Sequence, residues 1–353
     1  MTNAYVALAD GRVFEARCRA PGRARGELVF TTAYTGYEES LTDPSYEEQV
    51  LTFSYPLVGN YGVRPERFES ERVHPNAAVA REFTDDVAEW LAEADVPAVD
   101  HLDTREIVTS VREEGAMACG IAAGPEATPA DARAELDDAV PMSDHTEIGA
   151  QVSTPEAYTV AGGDEADVAL VDCGAKGSIV SSLTERGATV HVLPHDTTPA
   201  ELTDYDPDVL FLSNGPGDPA TYGAAETLVS EFLGELPVAG ICLGQQIVAR
   251  AVGGETEKMA FGHRGVNQPV RDLESDRVVM TTQNHGYSVA DPGPLEVTQV
   301  NVNDGTAEGL DHEEWNVLTR QYHPEANPGP HDSLGFFDDV LAAVEASPRV
   351  AAD

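Results

Sequence analysis

The sequence predicts an α/β protein in two parts: a β-rich α+β N-terminal domain and a C-terminal doubly wound, mostly parallel sheet. Three observations carry this. The chain has 353 residues, more than a single core usually holds. As far as about residue 62 the apolar runs are short, extended and separated by turn residues, and helical spacing enters only from residue 84. After residue 166 strand and helix patterns alternate, with glycine-rich turns at the strand ends, as in sheets that bind ligands at their carboxyl edges. We place the domains at residues 1–160 and 166–353, divided by the acidic, glycine-containing segment 161–166.

Residues 5–14 read as a hairpin, because Asp10 and Gly11 supply the positive-φ turn that right-twisted strands require. Residues 27–32 and 49–54 are further strands, and 35–46 is a polar, turn-rich connector holding Tyr37, Ser45 and Tyr46. Helical spacing runs over 84–94 and 104–114, and 117–121 returns to strand. Residues 124–166 are rich in Pro, Ala and acids, with one helix starting near Pro129. Beyond the boundary come strand 168–171, helix 178–186, and strands 189–193 and 208–212. Helix 224–236 follows, then a short strand before Gly240 and a helix over 246–252. Residues 266–322 are mostly strand-like, and 333–345 closes as an amphipathic helix. No internal repeat is present.

Composition excludes whole classes of function. The formal net charge is -41, from 62 acidic and 21 basic residues, and Lys176 and Lys258 are the only lysines. Phosphate backbones and anionic lipids are bound by Lys and Arg, so neither nucleic acid nor a membrane surface is an expected partner. The acids are spread through well-patterned segments, which suits a folded protein in concentrated salt, where self-repulsion is screened. Cys18, Cys119, Cys173 and Cys242 show no metal-finger or disulfide spacing, and no metal site is expected. The start lacks a basic leader, and no apolar run approaches spanning length, which points to a soluble cytoplasmic protein.

One stretch carries chemistry. Cys242 stands between a strand and a helix with glycine at 240 and 244, the specification of a nucleophile elbow. The free N–H groups of the helix start favour a thiolate and a developing oxyanion. A lone cysteine at a strand end is more often a small buried residue, so the partners decide. Of ten histidines, His323 is singled out by Glu325 two residues on, which shares its face in extended backbone and can orient the imidazole. His263 and His285, beside glycine in loops, compete with it, whereas His191 alternates with valines as a structural strand residue. The turn at Asn214, Gly215, Pro216 and Gly217 ends a strand near the elbow and can aim N–H groups at an oxyanion. Asn284–Tyr287 reads as another turn. No phosphate-binding loop exists anywhere.

Together these residues resemble the class I (triad) glutamine amidotransferases, which hydrolyse glutamine through a thioester and pass ammonia to a synthase. The N-terminal half, with the segments 35–39, 41–46 and 103–105, is similar to the small-subunit family of carbamoyl-phosphate synthases, as are residues 213–219 and 323–332. The resemblance spans residues 4 to 345 and implies a flavodoxin-like C-terminal domain. It implies Cys242 as nucleophile, His323 as base and Glu325 as its orienter. Gly215, Gly217 and Leu243 would offer backbone contacts to glutamine and Gln246 would hold its amino-acid end. Asn284, Gly286 and Tyr287 would line the pocket and Ser45 would reach in from the N-terminal domain. It further implies a large-subunit partner carrying ATP and Mg, with no cofactor in this chain, in arginine and pyrimidine biosynthesis. Gln245 and Tyr287 depart from the family's frequent His and Phe. A glutaminase for another synthase and an inactive regulatory scaffold remain as alternatives.

Overall fold

The computed structural model describes residues 3–345. It divides into two compact units. The first runs to His145 and takes in Ala260–Gly265; the second is Thr146–Met259 with the chain from Val266 onward.

The first unit is built on a closed seven-stranded barrel. In spatial order its strands are Asn3–Leu8, Val13–Ala20, Ala98–Asp100, Ala77–Val79, Gln49–Phe53, Gly22–Thr31 and Met117–Gly124, the last pairing back to the first. The 5–14 hairpin forms with Gly11 at φ 93°. The two-residue period of the strands sorts side chains between two cores. Leu28, Phe30 and Val50 join Ile107 and Val111 of the helix Thr104–Glu114. Val29, Leu51 and Phe53 instead join Val87 and Leu91 of the helix Asp85–Glu93. Strands covered on both faces read as near-continuous apolar runs, so the strands are visible in sequence and the closure is not. The helix Pro129–Asp137 starts in a capping box between Thr128 and Asp131.

The 35–46 connector is more ordered than its composition suggests. It holds a short helix, Tyr37–Leu41, entered through Gly36 at φ 76°, and a 3-10 turn, Pro44–Tyr46. Tyr37 stacks on Tyr61 with centroids 4.4 Å apart, and Glu38 accepts the Arg64 N–H at 2.7 Å. Partners distant in sequence thus satisfy polar residues that locally read as solvent-facing.

In the second unit five parallel strands lie in the order Ala188–Pro194, Ala166–Asp172, Val209–Leu212, Val238–Ile241 and Val317–Arg320. Tyr158–Val160 adds an antiparallel edge. Beyond Val317–Arg320 follow Ala307–His312, Glu296–Asn301, Glu255–Asp272 and Val278–Asp291. The sheet as a whole is therefore mixed, where patterning suggested mostly parallel. Short turns between neighbouring strands allow only antiparallel pairing. Val168, Leu170, Phe211 and Ile241 pack with Ile179 and Leu183 of the helix Gly177–Thr184 and with Phe336, Phe337 and Val340 of the helix Gly335–Glu345. No helix among the described residues is long and apolar enough to cross a membrane.

Candidate active site

The strand Val238–Ile241 ends at Cys242, and the helix Leu243–Ala251 begins immediately after it, three residues earlier than spacing predicts. Cys242 has φ 54° and ψ -104°, a conformation that residues with side chains adopt at a cost. Close backbone approaches explain the glycines. A Cβ on Gly240 would lie 2.8 Å from the Gly244 carbonyl carbon, and one on Gly244 would lie 2.3 Å from the Leu212 oxygen. A Cβ on Gly215 would lie 2.0 Å from the Cys173 oxygen. The Cys242 N–H donates to the Arg320 carbonyl at 2.8 Å, tying the elbow to the strand whose continuation carries His323. The buried sulfur lies 3.6 Å from the Asn284 carbonyl oxygen.

His323 donates from Nδ1 to Glu325 Oε1 at 2.6 Å. The backbone there is a bridge followed by a turn, not extended strand: the His323 N–H donates to Thr282 O, and the Ala326 N–H closes back on His323 O. Glu325 Oε1 also accepts Lys176 Nζ at 3.0 Å, and Lys176 donates a second bond to the Asn327 carbonyl at 2.5 Å. All three side chains are buried, at 1%, 0% and 2% exposure for His323, Glu325 and Lys176. Burial disfavours a charged imidazole, but the Glu325 carboxylate and a bond to Cys242 outweigh it and raise the His323 pKa to about 10. Burial likewise opposes the Glu325 carboxylate, and Lys176 and His323 overcome it, lowering its pKa to about 2. His323 Nε2 has no hydrogen-bond partner of good geometry, which leaves the ring's second nitrogen for chemistry beside the sulfur.

Gly215 and Gly217 lie in the turn after Val209–Leu212, with Gly217 at φ 89°. The turn is knitted to the end of the neighbouring strand Ala166–Asp172: the Cys173 N–H donates to Ser213 Oγ, and the Lys176 N–H donates to Asn214 Oδ1. Leu243 opens the elbow helix, whose first N–H groups have no intrahelical acceptor. Gln246, one turn further, donates to the Tyr287 carbonyl at 2.9 Å. Asn284, Gly286 and Tyr287 are not in a turn; they lie within the strand Val278–Asp291. Ser45 lies in the first unit, in the turn Pro44–Tyr46, with its N–H held by Asp43 at 2.9 Å. His263 and His285 are also strand residues, not loop ones. His285 Nδ1 is committed to the Tyr287 carbonyl at 2.9 Å. His191 bonds Thr159 and Asp167.

Lys176 is the residue that sequence reasoning passed over. A signal existed, since one of only two lysines in an acidic chain sits just past a strand end in the α/β half.

An elbow cysteine beside a buried histidine–carboxylate pair, at the carboxyl end of parallel strands, is an arrangement that can perform thiol-dependent acyl transfer of the triad type. Comparison with known proteins agrees and narrows it. Residues 169–343 match the family described as "Glutamine amidotransferase class-I", and residues 6–121 match "Carbamoyl-phosphate synthase small chain, CPSase domain". The chain is 70% identical to the carbamoyl phosphate synthase small chain of Halobacterium salinarum over 347 residues, 98% of each protein. It is 42% identical to that of Methanopyrus kandleri, covering 96% of this chain and 98% of the relative. It is 40% identical to that of Archaeoglobus fulgidus, over 95% and 97%. The solved structure of a glutamine amidotransferase from Thermotoga maritima overlaps 52% of the chain and 98% of its own, at 13% identity and TM-score 0.40. The chain belongs to the carbamoyl phosphate synthase small-chain family.

Proposed function

We propose that this chain is the glutamine-hydrolysing subunit of a carbamoyl phosphate synthase, with Cys242, His323 and Glu325 as its catalytic residues. The observation that carries the assignment is the buried Lys176–Glu325–His323 chain leading to the elbow cysteine. The Cys242 sulfur attacks the side-chain carboxamide carbon of L-glutamine, and the oxyanion is met by N–H groups at Leu243 and the Gly215–Gly217 turn. His323, holding its proton, passes it from Nε2 to the departing nitrogen, so the C–N bond breaks as ammonia leaves. The neutral imidazole then takes a proton from water, whose oxygen attacks the thioester and releases glutamate. Glu325 fixes the tautomer and stabilises the imidazolium. Gln246 holds the amino-acid end, and Asn284, Gly286 and Tyr287 line the pocket.

Ammonia passes to a large-subunit partner, where ATP and Mg act on bicarbonate; this chain itself carries no cofactor. The product serves arginine and pyrimidine synthesis in the cytoplasm. We take the helices between the parallel strands to cover both sheet faces, a doubly wound arrangement with ligands at the strand ends. The expected test result is that Cys242→Ser lowers glutamine-dependent synthesis on the order of 10⁴-fold or more, while synthesis from added ammonium by the assembled enzyme survives. Full turnover of glutamine by the variant would overturn the assignment.

A further inference from the structure

The hydrogen bonds of Gln246 tie it to a residue outside the proposed catalytic set. The amide nitrogen of Gln246 donates to the Tyr287 carbonyl at 2.9 Å and to Gln321 Oε1 at 3.2 Å. The first bond settles which way the amide faces, because a backbone carbonyl can only accept. Tyr287 O is held in place by His285 Nδ1 as well. Both amide hydrogens of Gln246 are therefore committed. Among the described residues its oxygen accepts no hydrogen bond, so an acceptor is what this side chain has left to offer. Gln321 is fully buried two residues before His323, with its N–H on Glu308 O. Its own amide nitrogen is enclosed without a partner, a costly state that follows from keeping its oxygen against Gln246.

We propose that Gln321 is a positioning residue that holds the Gln246 carboxamide with its oxygen free for substrate, so that the site selects molecules carrying an α-ammonium group. This rests on the glutaminase reading, in which Gln246 already holds the amino-acid end of glutamine, and adds to it the residue that sets the Gln246 amide: with both hydrogens committed, the oxygen left over is an acceptor, which complements an ammonium. Released from Gln321, the Gln246 amide keeps only its Tyr287 bond and can rotate, which loosens the acceptor without touching the nucleophile.

The test uses the full chain assembled with its large-chain partner and two substrates, L-glutamine and 5-amino-5-oxopentanoate, which is glutamine without its α-amino group. Wild-type kcat/KM should favour glutamine by about 10- to 100-fold, the range of one charge-assisted hydrogen bond. Gln321→Met should lose most of that preference through a raised KM for glutamine, with KM for the desamino analogue unchanged. Gln321→Glu, which keeps an acceptor against Gln246, should restore it. Gln246→Met should abolish the preference, and adding Gln321→Met should lower it no further. Equal wild-type kcat/KM on the two substrates overturns the ammonium reading whatever the variants do. A Gln321→Met enzyme that keeps the preference, or loses both substrates equally, overturns the role of Gln321 alone. A wild-type complex that hydrolyses neither substrate removes the glutaminase reading and this inference with it.

Discussion

Two buried carboxylates, Asp100 in the first unit and Glu325 in the second, are held in opposite ways. In the first, the cations reach in from solvent. Asp100 is fully enclosed and takes two bonds from Arg17, at 2.8 and 2.9 Å, although the Arg17 side chain is 39% exposed. Burial raises the Asp100 pKa, but Arg17 and the Phe83 N–H outweigh it and hold it below the ordinary value. Glu47 likewise pairs with half-exposed Arg72, and it also bonds the enclosed His74. In the second unit the cation is sealed in with its partners, as Lys176, Glu325 and His323 show. Thirteen of the 21 basic residues belong to the first unit, which leaves eight to the second. The lesson is that one pairing chemistry yields two behaviours: solvent and salt reach the first kind and not the second.

The largest expected effect comes from opening the sealed network. Lys176→Met leaves a buried Glu325 without its cation and should cost about 3–5 kcal/mol, together with most glutamine turnover. Arg17→Met should cost less, about 1–2 kcal/mol, because Asp100 keeps the Phe83 N–H. Urea unfolding of the two variants at one salt concentration measures both. Equal penalties would break the comparison.

Titration comes next. His323 has its pKa raised to about 10 from 6.5, so its contribution is complete below about 6.5 and is lost as pH rises through about 10. The wild-type melting temperature should fall across that window, and His323→Gln should flatten the slope. Glu325, lowered to about 2 from 4.5, acts with the opposite sign: its contribution is present above about 4.5 and is lost as pH falls toward about 2. A slope unchanged in His323→Gln would remove the histidine from the alkaline limb.

Salt sharpens the contrast at smaller amplitude. With a net charge of -41 the wild-type chain should melt several degrees higher as KCl rises from about 0.2 M to about 3 M. Over the same range the Arg17→Met penalty should shrink, because the exposed guanidinium is screened, while the Lys176→Met penalty stays constant. The smallest effect is local. Thr128→Ala removes the capping box of the Pro129–Asp137 helix and should cost about 1 kcal/mol, with glutamine turnover unchanged.

Elements and chemistry differed in how far they could be read. The elbow was legible because its constraint is local: strand, glycine, cysteine, glycine and helix are contiguous, and the backbone approaches of under 3 Å at Gly240 and Gly244 explain why no other residue fits. The pairing of His323 with Glu325 was legible from spacing, although it arises from a turn and not from the extended backbone that suggested it. Asn284 to Tyr287 misled because a glycine and an asparagine read as a turn, while the neighbouring strands hold them extended.

What the amino-acid sequence determined by itself is therefore whatever depends on neighbours along the chain. That covers the two grammars of its halves, most strand and helix positions, the acidic surface, the glycine-bound cysteine and its histidine–glutamate pair. Only the tertiary structure decided the closure of the barrel, the antiparallel half of the second sheet, and the burial of Lys176 against a carboxylate 149 residues away. The same holds for the amide pair of Gln246 and Gln321, 75 residues apart. Pattern and propensity act over one or two turns of chain, whereas a buried charge or amide is satisfied by whichever residue the fold brings to it.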